Sequence, residues 1–227
     1  MTQIKIIKKS EFSEKPDQES VWNAIARPWG TYVVKDIPMV VEFLKSKKGK
    51  VIDLGCGTGR NMIKNSKIKY YGVDFSSGQI EKAEKEVRRK GINAEFFKAN
   101  AFELDKKMFK NGMFDGGLFI ATLHCIESKE KRLKAMKEFY RVLKKGSEGL
   151  ISVWNSEDKR FKCVGNKGGI YMAWRENKVP YMRYYYLYGK KEFLNLIKKV
   201  GFEVVEFYEP IERDRFSKKN WVVRVRK

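Results

Sequence analysis

An acid and three glycines at alternate positions are the residues best placed to bind a ligand: Asp53, Gly55, Gly57 and Gly59. Glycine accepts positive φ and lets a ligand lie directly against the main chain. We expect an amphipathic helix to start at Arg60, and a helix start offers unpaired N–H groups. The spacing therefore predicts a strand, a tight turn and a helix that together hold a polar small molecule.

The identity of that ligand is narrowed by the residues around the glycines. A dinucleotide-binding loop needs a third glycine where this chain has Arg60, so NAD is disfavoured. A phosphate-binding P-loop ends in Gly-Lys-Ser/Thr, and Gly59-Arg60-Asn61 does not match it. An acid ahead of the glycines suits a ligand that carries an ammonium group. A glycine-rich turn without any ligand is the alternative.

A second acid follows at a distance that suits the same site. Asp74 ends a predicted strand, 69–74, and stands 19 residues beyond Gly55. One strand–connection–strand passage brings it beside the glycine loop, where a carboxylate can accept hydrogen bonds from both hydroxyls of a ribose. The ends of two later strands, at Asn100 and Ile120, converge on the same edge.

Strands and helices alternate along most of the chain, which predicts an α/β fold. We expect a doubly wound, mostly parallel seven-stranded sheet with an antiparallel C-terminal hairpin. Residues 76–79 read Ser-Ser-Gly-Gln and predict a capping box at the start of a helix. Residues 1–17 are expected to form a flexible tail, and 18–227 a single domain. The segment 27–32 is expected either to cover the ligand or to pack on the sheet edge.

The segment 156–182 interrupts the alternation and is expected to be a substrate-binding insertion on a flexible loop. It mixes basic and aromatic residues: Lys159, Arg160, Lys162, Lys167, Arg175 and Lys178 with Phe161, Tyr171, Trp174 and Tyr181. Such a mixture suits phosphate contacts and base stacking. The alternative is an ordinary excursion whose rings pack back on the domain.

The composition favours a polyanionic partner. The 227 residues include 49 Lys and Arg against 28 Asp and Glu, a formal net charge of +21. A positive field of this size suits nucleic acid, although a lysine-rich, heat-stable surface is the alternative. The three cysteines are isolated, and the N-terminus lacks an apolar signal segment, so we expect no metal site and a cytoplasmic location.

The Asp-Leu-Gly-x-Gly-x-Gly arrangement resembles the first motif of class I S-adenosylmethionine-dependent methyltransferases. The resemblance implies S-adenosylmethionine as cofactor and places Asn100 where the family has an acid that contacts the adenine amino group. The implied cofactor-binding set is Asp53, Gly55, Cys56, Gly57, Gly59, Asp74, Phe75, Asn100, Ala101 and Ile120.

Further segments resemble, in the same order, the tRNA wobble-uridine methyltransferases that esterify 5-carboxymethyluridine. They are 24–26, Asp53 to Gly57, Ile120 to His124, Ile151 to Trp154, Arg183-Tyr184-Tyr185 and Asn220-Trp221. The resemblance implies tRNA as substrate and a small zinc-binding activator subunit as a partner. A methyltransferase of a small metabolite or protein, and an RNA-binding module without turnover, are the alternative functions.

A carboxylate nucleophile is already ionised at neutral pH and needs no general base. It needs a cation that positions it, for which Arg183 is the first candidate and Arg175 the second, with Tyr184 as a further contact. A structural ion pair is the alternative role for Arg183. His124, the only histidine, is expected to be structural rather than catalytic.

Overall fold

The structure is a computed structural model that describes residues 5–32, 36–176, 179–210 and 215–227. Within these ranges the strands are β1 Ile6–Lys8, β2 Gly49–Leu54, β3 Ile68–Asp74, β4 Ala94–Lys98, β5 Phe114–Ile120, β6 Leu143–Trp154, β7 Gly168–Glu176, β8 Val179–Leu187, β9 Glu203–Tyr208 and β10 Asn220–Arg226. The helices are α1 Gln18–Ala24, α2 Ala26–Tyr32, α3 Pro38–Lys45, α4 Ser77–Lys90, α5 Lys129–Val142, α6 Lys190–Val200 and α7 Arg215–Lys219.

Seven of the strands form one sheet in the order β4-β3-β2-β5-β6-β10-β9. The pairs among the first five are parallel, while β10 runs antiparallel to both β6 and β9. The chain order reverses between β2 and β5, which is the position where open α/β sheets bind ligands at the carboxyl ends of their strands. The predicted seven-stranded sheet with an antiparallel C-terminal hairpin is confirmed.

Helices cover both faces of this sheet because its central strands are apolar on both sides. One buried cluster joins the sheet to α5 and α6 through Phe139, Phe193 and Ile197. The cluster on the other face includes Phe43 and Leu44 of α3 and Val87 of α4. None of the helices in the described ranges is long and apolar enough to cross a membrane.

The helix expected after the glycine loop is absent, so that prediction is wrong. Residues 60–67, between the loop and β3, contain turns and extended chain but no helix. These eight residues must return along β2, a distance of about 20 Å for six strand residues. A helix of eight residues would advance only about 12 Å. Extended chain covers the distance, and the connection is too short for anything else.

The N-terminal tail and the insertion combine into a second sheet that the sequence did not predict. Strand β7 lies between β1 and β8, and both pairs are antiparallel. Residues 6–8, expected to belong to a flexible tail, are therefore a strand. The insertion, expected to be a flexible loop ending at 182, is a short 3₁₀ helix, Lys159–Val164, followed by a hairpin that extends to Leu187.

The aromatic residues of the insertion pack back on the domain. Phe161 and Tyr171 are fully buried, and Trp174 and Tyr181 are half-buried. Arg160 forms an ion pair with Asp158, with 3.0 Å between Nε and Oδ2. Lys178 lies outside the described residues. Among the predicted RNA contacts, Lys159, Lys162, Lys167 and Arg175 are the ones that lie exposed.

Candidate active site

The glycine loop closes on the carboxyl end of β3. The backbone N–H groups of Gly55 and Cys56 both donate to the carbonyl of Val73, at 2.7 and 3.0 Å. Gly55 has φ +76°, and a Cβ there would lie 2.1 Å from Cγ2 of Thr122. The loop therefore needs glycine at 55 for two independent reasons, its backbone conformation and its close approach to the chain that follows β5.

Asp74 ties the loop to the end of β3. Its Oδ2 accepts a hydrogen bond from the N–H of Gly57 at 2.9 Å, and its Oδ1 accepts one from the N–H of Ser76 at 3.0 Å. Burial raises the pKa of this carboxyl to about 6 against the lowering effect of those N–H groups. Asp74 therefore lies beside the glycine loop, as the spacing predicted. Each of its carboxylate oxygens retains a second lone pair for a ligand hydroxyl.

Asp53 is the deepest acid of the site and is completely buried at the end of β2. Its two oxygens lie 3.4 and 3.3 Å from Nδ2 of Asn61. Burial, opposed by that hydrogen bond, raises the pKa of Asp53 to about 7. Asn61 offsets little of the cost of burying this negative charge. The carboxylate is therefore suited to a cationic ligand group such as an ammonium.

The replacement Asp53→Asn is expected to raise the stability of the ligand-free protein at pH 8. Because the folded pKa is raised, the stability contributed by Asp53 is fully present below about pH 4 and is lost as pH rises through about 7. Each pKa unit corresponds to about 1.4 kcal/mol, and the pKa is raised from 3.8 to about 7. The Asn variant should therefore gain at most about 4 kcal/mol of stability at pH 8. Melting temperatures measured from pH 4 to 8 should fall less with pH in the variant, and parallel curves would contradict this assignment.

The other predicted cofactor residues lie along the same edge of the sheet. The N–H of Ala99 donates to the carbonyl of Asp74 at 3.0 Å and brings the end of β4 to the site. Cys56 and Ile120 are buried, Phe75 and Ala101 are half-buried, and Asn100 is exposed. These positions fall at the ends of β2, β3, β4 and β5, which are neighbours in the sheet.

The first two helices pack beside this edge. Oδ1 of Asn23 in α1 accepts hydrogen bonds from Ser76 Oγ at 2.7 Å and from the N–H of Gly78 at 3.1 Å. In α2, a Cβ on Gly30 would lie 3.3 Å from Cγ2 of Thr58 in the glycine loop. The segment 27–32 therefore lies against the loop, and its role as a cover over the ligand stays a prediction.

Gln79 is a site residue that the sequence reasoning missed. The capping box is only half formed, because Ser76 Oγ accepts from the N–H of Gln79 while the Gln79 side chain donates to the carbonyl of Trp22 at 3.4 Å. Oε1 of Gln79 is buried and accepts no hydrogen bond from the part of the chain that the structure describes. A Cβ on Gly57 would meet only this oxygen, at 3.7 Å. The space over Gly57 thus holds an open backbone and an unused acceptor, which fits the amino-acid end of S-adenosylmethionine.

Arg183 lies in a box of aromatic rings. Its guanidinium carbon is 5.3 Å from the ring centroids of Trp29 and Trp174, 5.4 Å from that of Tyr185 and 6.0 Å from that of Trp22. The residue is only 4 % exposed, and its Nε has no hydrogen-bond partner. No carboxylate of the described chain lies within 4 Å of it, so the structural ion pair considered above is not present there.

Tyr184 does not join Arg183, which contradicts the prediction for Tyr184. Successive side chains of a strand point to opposite faces, so Arg183 and Tyr185 share one face of β8 and Tyr184 takes the other. Tyr184 packs against Tyr171 and Met182. Tyr185 is the residue that contacts Arg183, and the i, i+2 rule would have selected it. Arg175 is exposed near the end of the hairpin rather than in the box.

His124 extends the aromatic box but does not titrate near neutrality. It is fully buried, with its ring 5.0 Å from Trp154 and 5.7 Å from Tyr185. Burial, with the charge of Arg160, lowers its pKa to about 3. Neither ring nitrogen, nor the Tyr185 hydroxyl, has a hydrogen-bond partner among the described residues.

Comparison with known proteins agrees with this geometry. Residues 45–208 match a family model described as a methyltransferase domain. A protein of Encephalitozoon cuniculi whose name assigns it as a methyltransferase is 30% identical over 165 residues, covering 71% of this chain and 73% of its own length. A solved S-adenosylmethionine-dependent methyltransferase of Methanosarcina mazei superposes with a TM-score of 0.67 at 23% identity, covering 85% of this chain and 99% of its own.

Two further relatives carry more specific names. The tRNA (carboxymethyluridine(34)-5-O)-methyltransferase of Schizosaccharomyces pombe is 26% identical over 236 residues, covering 89% of this chain and 93% of its own. The enzyme of the same name from Saccharomyces cerevisiae is 31% identical over 159 residues, covering 68% of this chain. That alignment spans 54%, about half, of the yeast enzyme's length.

The sheet order, the glycine loop and the acid at the end of β3 define a class I methyltransferase fold. The chain belongs to the methyltransferase family and is an S-adenosylmethionine-dependent methyltransferase. The residues that would hold the cofactor are Asp53, the loop from Gly55 to Gly59, Asp74 and Gln79. A cavity of about 830 Å³ between α3 and the C-terminal strands, lined by Phe43, Tyr208 and Val222 among others, includes none of them.

Proposed function

We propose that the protein methylates tRNA on the carboxylate of a 5-carboxymethyl uridine at the wobble position. The names of the two yeast relatives support this substrate, as does the chain-wide excess of positive charge. Methylation of a small metabolite or of a protein remains the second candidate, because the same fold serves methyltransferases with different substrates. A cytoplasmic location and an activator subunit, both expected from the sequence, stay predictions.

The observation that carries the proposal is the buried guanidinium of Arg183, which has aromatic rings around it but no carboxylate within 4 Å in the described chain. Cation–π contacts with the rings stabilise the charge without neutralising it, so an anion that binds there gains charge-assisted hydrogen bonds. The guanidinium fork matches a carboxylate bidentately, and the surrounding tryptophans offer flat surfaces to a base. A carboxymethylated pyrimidine supplies both the anion and the flat ring, which a simple metabolite acid would not.

The site contains the groups that esterification of a carboxylate needs. When bound, S-adenosylmethionine supplies a methyl group on a positively charged sulfur. Arg183 would orient the carboxylate, and the rings of Trp29 and Trp174 would exclude water from it. No proton is transferred in forming a methyl ester from a carboxylate, so the neutral imidazole of His124 is not required as a base.

The methylation rate at saturating cofactor and tRNA is therefore expected to stay flat from about pH 6 to 8. The substrate carboxyl, with a reference pKa near 4, is ionised throughout this range. His124, with a pKa of about 3, remains neutral throughout it. Single-turnover rates measured with tritiated cofactor test this. A rate that rises tenfold per pH unit would indicate base-assisted attack by a neutral hydroxyl or ring nitrogen and would contradict a carboxylate acceptor.

The substrate class is tested with purified protein and labelled S-adenosylmethionine. Bulk tRNA, total protein and a small-molecule extract from the source cells serve as acceptors, each with and without ribonuclease. Label that appears only in tRNA and is lost with ribonuclease supports the proposal. Label in protein or in small molecules that survives ribonuclease contradicts it. Repeating the assay with added cell extract shows whether an activator is needed.

A further inference from the structure

The second sheet has an edge that its partner strand leaves open. Strand β1 pairs with β7 only from Ile6 to Lys8, opposite Met172 to Ile170. Gly168 and Gly169 lie beyond the last of these pairs and have register partners in β8 alone. Their edge toward β1 therefore presents backbone groups without side chains. A Cβ on Gly168 would meet no atom within 4 Å, so the space above it is open.

Basic and hydroxyl side chains surround this glycine edge. A depression of about 440 Å³ is lined by Lys8, Lys9, Ser10, Lys167, Gly168 and Gly169. Lys167 is exposed and has no carboxylate within 4 Å in the described chain. Lys8 has only an exposed contact with Glu11, 3.4 Å between Nζ and Oε1, which contributes little.

Lys9 has a different part in this depression. Its ammonium is 2.7 Å from Oε1 of Glu127 and 5.4 Å from the ring centroid of Tyr184. That pairing fixes Lys9 beneath the glycines rather than leaving it free for a ligand. Lys8, Lys167 and the Ser10 hydroxyl remain as donors beside the exposed glycine backbone, and cationic and hydroxyl donors around an open space suit a tetrahedral oxyanion.

We propose that the edge of β7 at Gly168 and Gly169, with Lys8, Ser10 and Lys167, binds a backbone phosphate of the RNA substrate. The inference rests on the proposed function for the kind of ligand. The N-terminal strand, which belongs to no cofactor element, thereby becomes part of the substrate-binding surface. The short 3₁₀ helix Lys159–Val164, which carries the exposed Lys162, packs against β1.

The position of this surface relative to Arg183 supports an extended polynucleotide rather than a free phosphate. Tyr184, whose hydroxyl lies 3.0 Å from the place of a Cβ on Gly169, and Arg183, which faces the aromatic box, are consecutive residues of β8. The two sites therefore lie on opposite faces of one strand. A free phosphate would occupy only one of these two sites, whereas a polynucleotide with one nucleotide at Arg183 can place a neighbouring phosphate at the glycine edge.

The test compares two double variants that remove the same charge. Lys8→Ala/Lys167→Ala removes the proposed phosphate-binding lysines. Lys198→Ala/Lys199→Ala removes two exposed lysines at the end of α6, just before β9. Strand β9 runs parallel to β6, so it begins at the amino ends of the parallel strands. The control lysines, which come just before β9, therefore lie at the opposite end of the strands from the cofactor site. Binding of fluorescent tRNA is measured by anisotropy at several salt concentrations, and methylation kinetics are measured in parallel.

The slope of log affinity against log salt should fall by about 0.7 for each phosphate that the Lys8/Lys167 variant no longer binds, and should not change in the control. The KM for tRNA should rise severalfold with kcat unchanged. Equal slopes and equal KM values for the two variants would overturn the inference while leaving tRNA methylation intact. If the Lys8/Lys167 variant shows the expected slope change but the wild type transfers no methyl group to tRNA even with added cell extract, the proposed function fails and the phosphate site stands. If the wild type binds no RNA, both fail.

Discussion

Replacing Arg183 with methionine is expected to reduce methyl transfer to carboxymethyluridine-containing tRNA by at least about 100-fold, or about 2.7 kcal/mol. Each charge-assisted hydrogen bond to a carboxylate contributes about 1.5 to 3 kcal/mol, and the guanidinium can make two. Cofactor affinity should change little, because Arg183 stands among the rings of Trp29 and Trp174 rather than at the glycine loop. Methionine is shorter than arginine, but it is unbranched, flexible and apolar and so fills much of the box.

The stability of this variant separates a role in substrate binding from a structural role for Arg183. Breaking a structural ion pair would cost about 3 to 5 kcal/mol of stability. Replacing Arg183 loses its cation–π contacts but also removes the cost of burying a charge, so the melting temperature should change little. Arg183→Lys should recover part of the activity, since it keeps the charge but loses the fork. Arg175→Met, on the same hairpin but exposed, is the control. A large loss of stability with normal turnover per folded molecule would remove Arg183 from the mechanism.

The second large effect is expected at Asp74. Asp74→Ala should lower cofactor affinity at least tenfold, about 1.4 kcal/mol, by calorimetry, because the variant cannot accept the two hydrogen bonds from ribose hydroxyls. The control is Asp115→Ala, an acid at the opposite end of the parallel strands that binds Lys144 and the N–H of Lys50. Equal cofactor affinities for wild type and Asp74→Ala would refute the assignment.

The pH dependence of wild-type binding has a definite sign. Asp74 has its pKa raised to about 6, and its ionised form is the better acceptor for hydroxyl groups. Cofactor affinity should therefore increase between about pH 5 and 7, and Asp74→Ala should lose this part of the increase. Any rise that remains in the variant belongs to Asp53, whose pKa is about 7.

The sequence predicted those features that depend on spacing along the chain. The 19 residues between Gly55 and Asp74 fit one passage across the sheet, and the structure places the N–H of Gly57 2.9 Å from Asp74. The alternation of elements predicted the seven-stranded sheet for the same reason. Both inferences follow from local geometry, because parallel neighbours bring their carboxyl ends together whatever the side chains are.

The features that failed depend on packing between distant parts of the chain. Strand β1 exists because the hairpin of β7 and β8 offers it an edge, and residues 6–8 alone carry no such information. The sequence around Gln79 predicts a capping box, but in the structure its side chain donates to the carbonyl of Trp22 in α1 instead. Two errors were avoidable. Chain length rules out a helix across 60–67, and strand alternation assigns Tyr185, rather than Tyr184, to the face of Arg183.

The most direct test of the central claim is the chemical lability of the transferred methyl group. Purified protein, supplemented with cell extract if an activator is needed, is incubated with labelled S-adenosylmethionine and tRNA that carries carboxymethyluridine or unmodified uridine. Nucleosides are analysed by mass spectrometry before and after mild alkali. We expect label only in the carboxymethylated tRNA, as a methyl ester that alkali releases as methanol. Alkali-stable label on a ribose, a ring nitrogen or an unmodified uridine would contradict it.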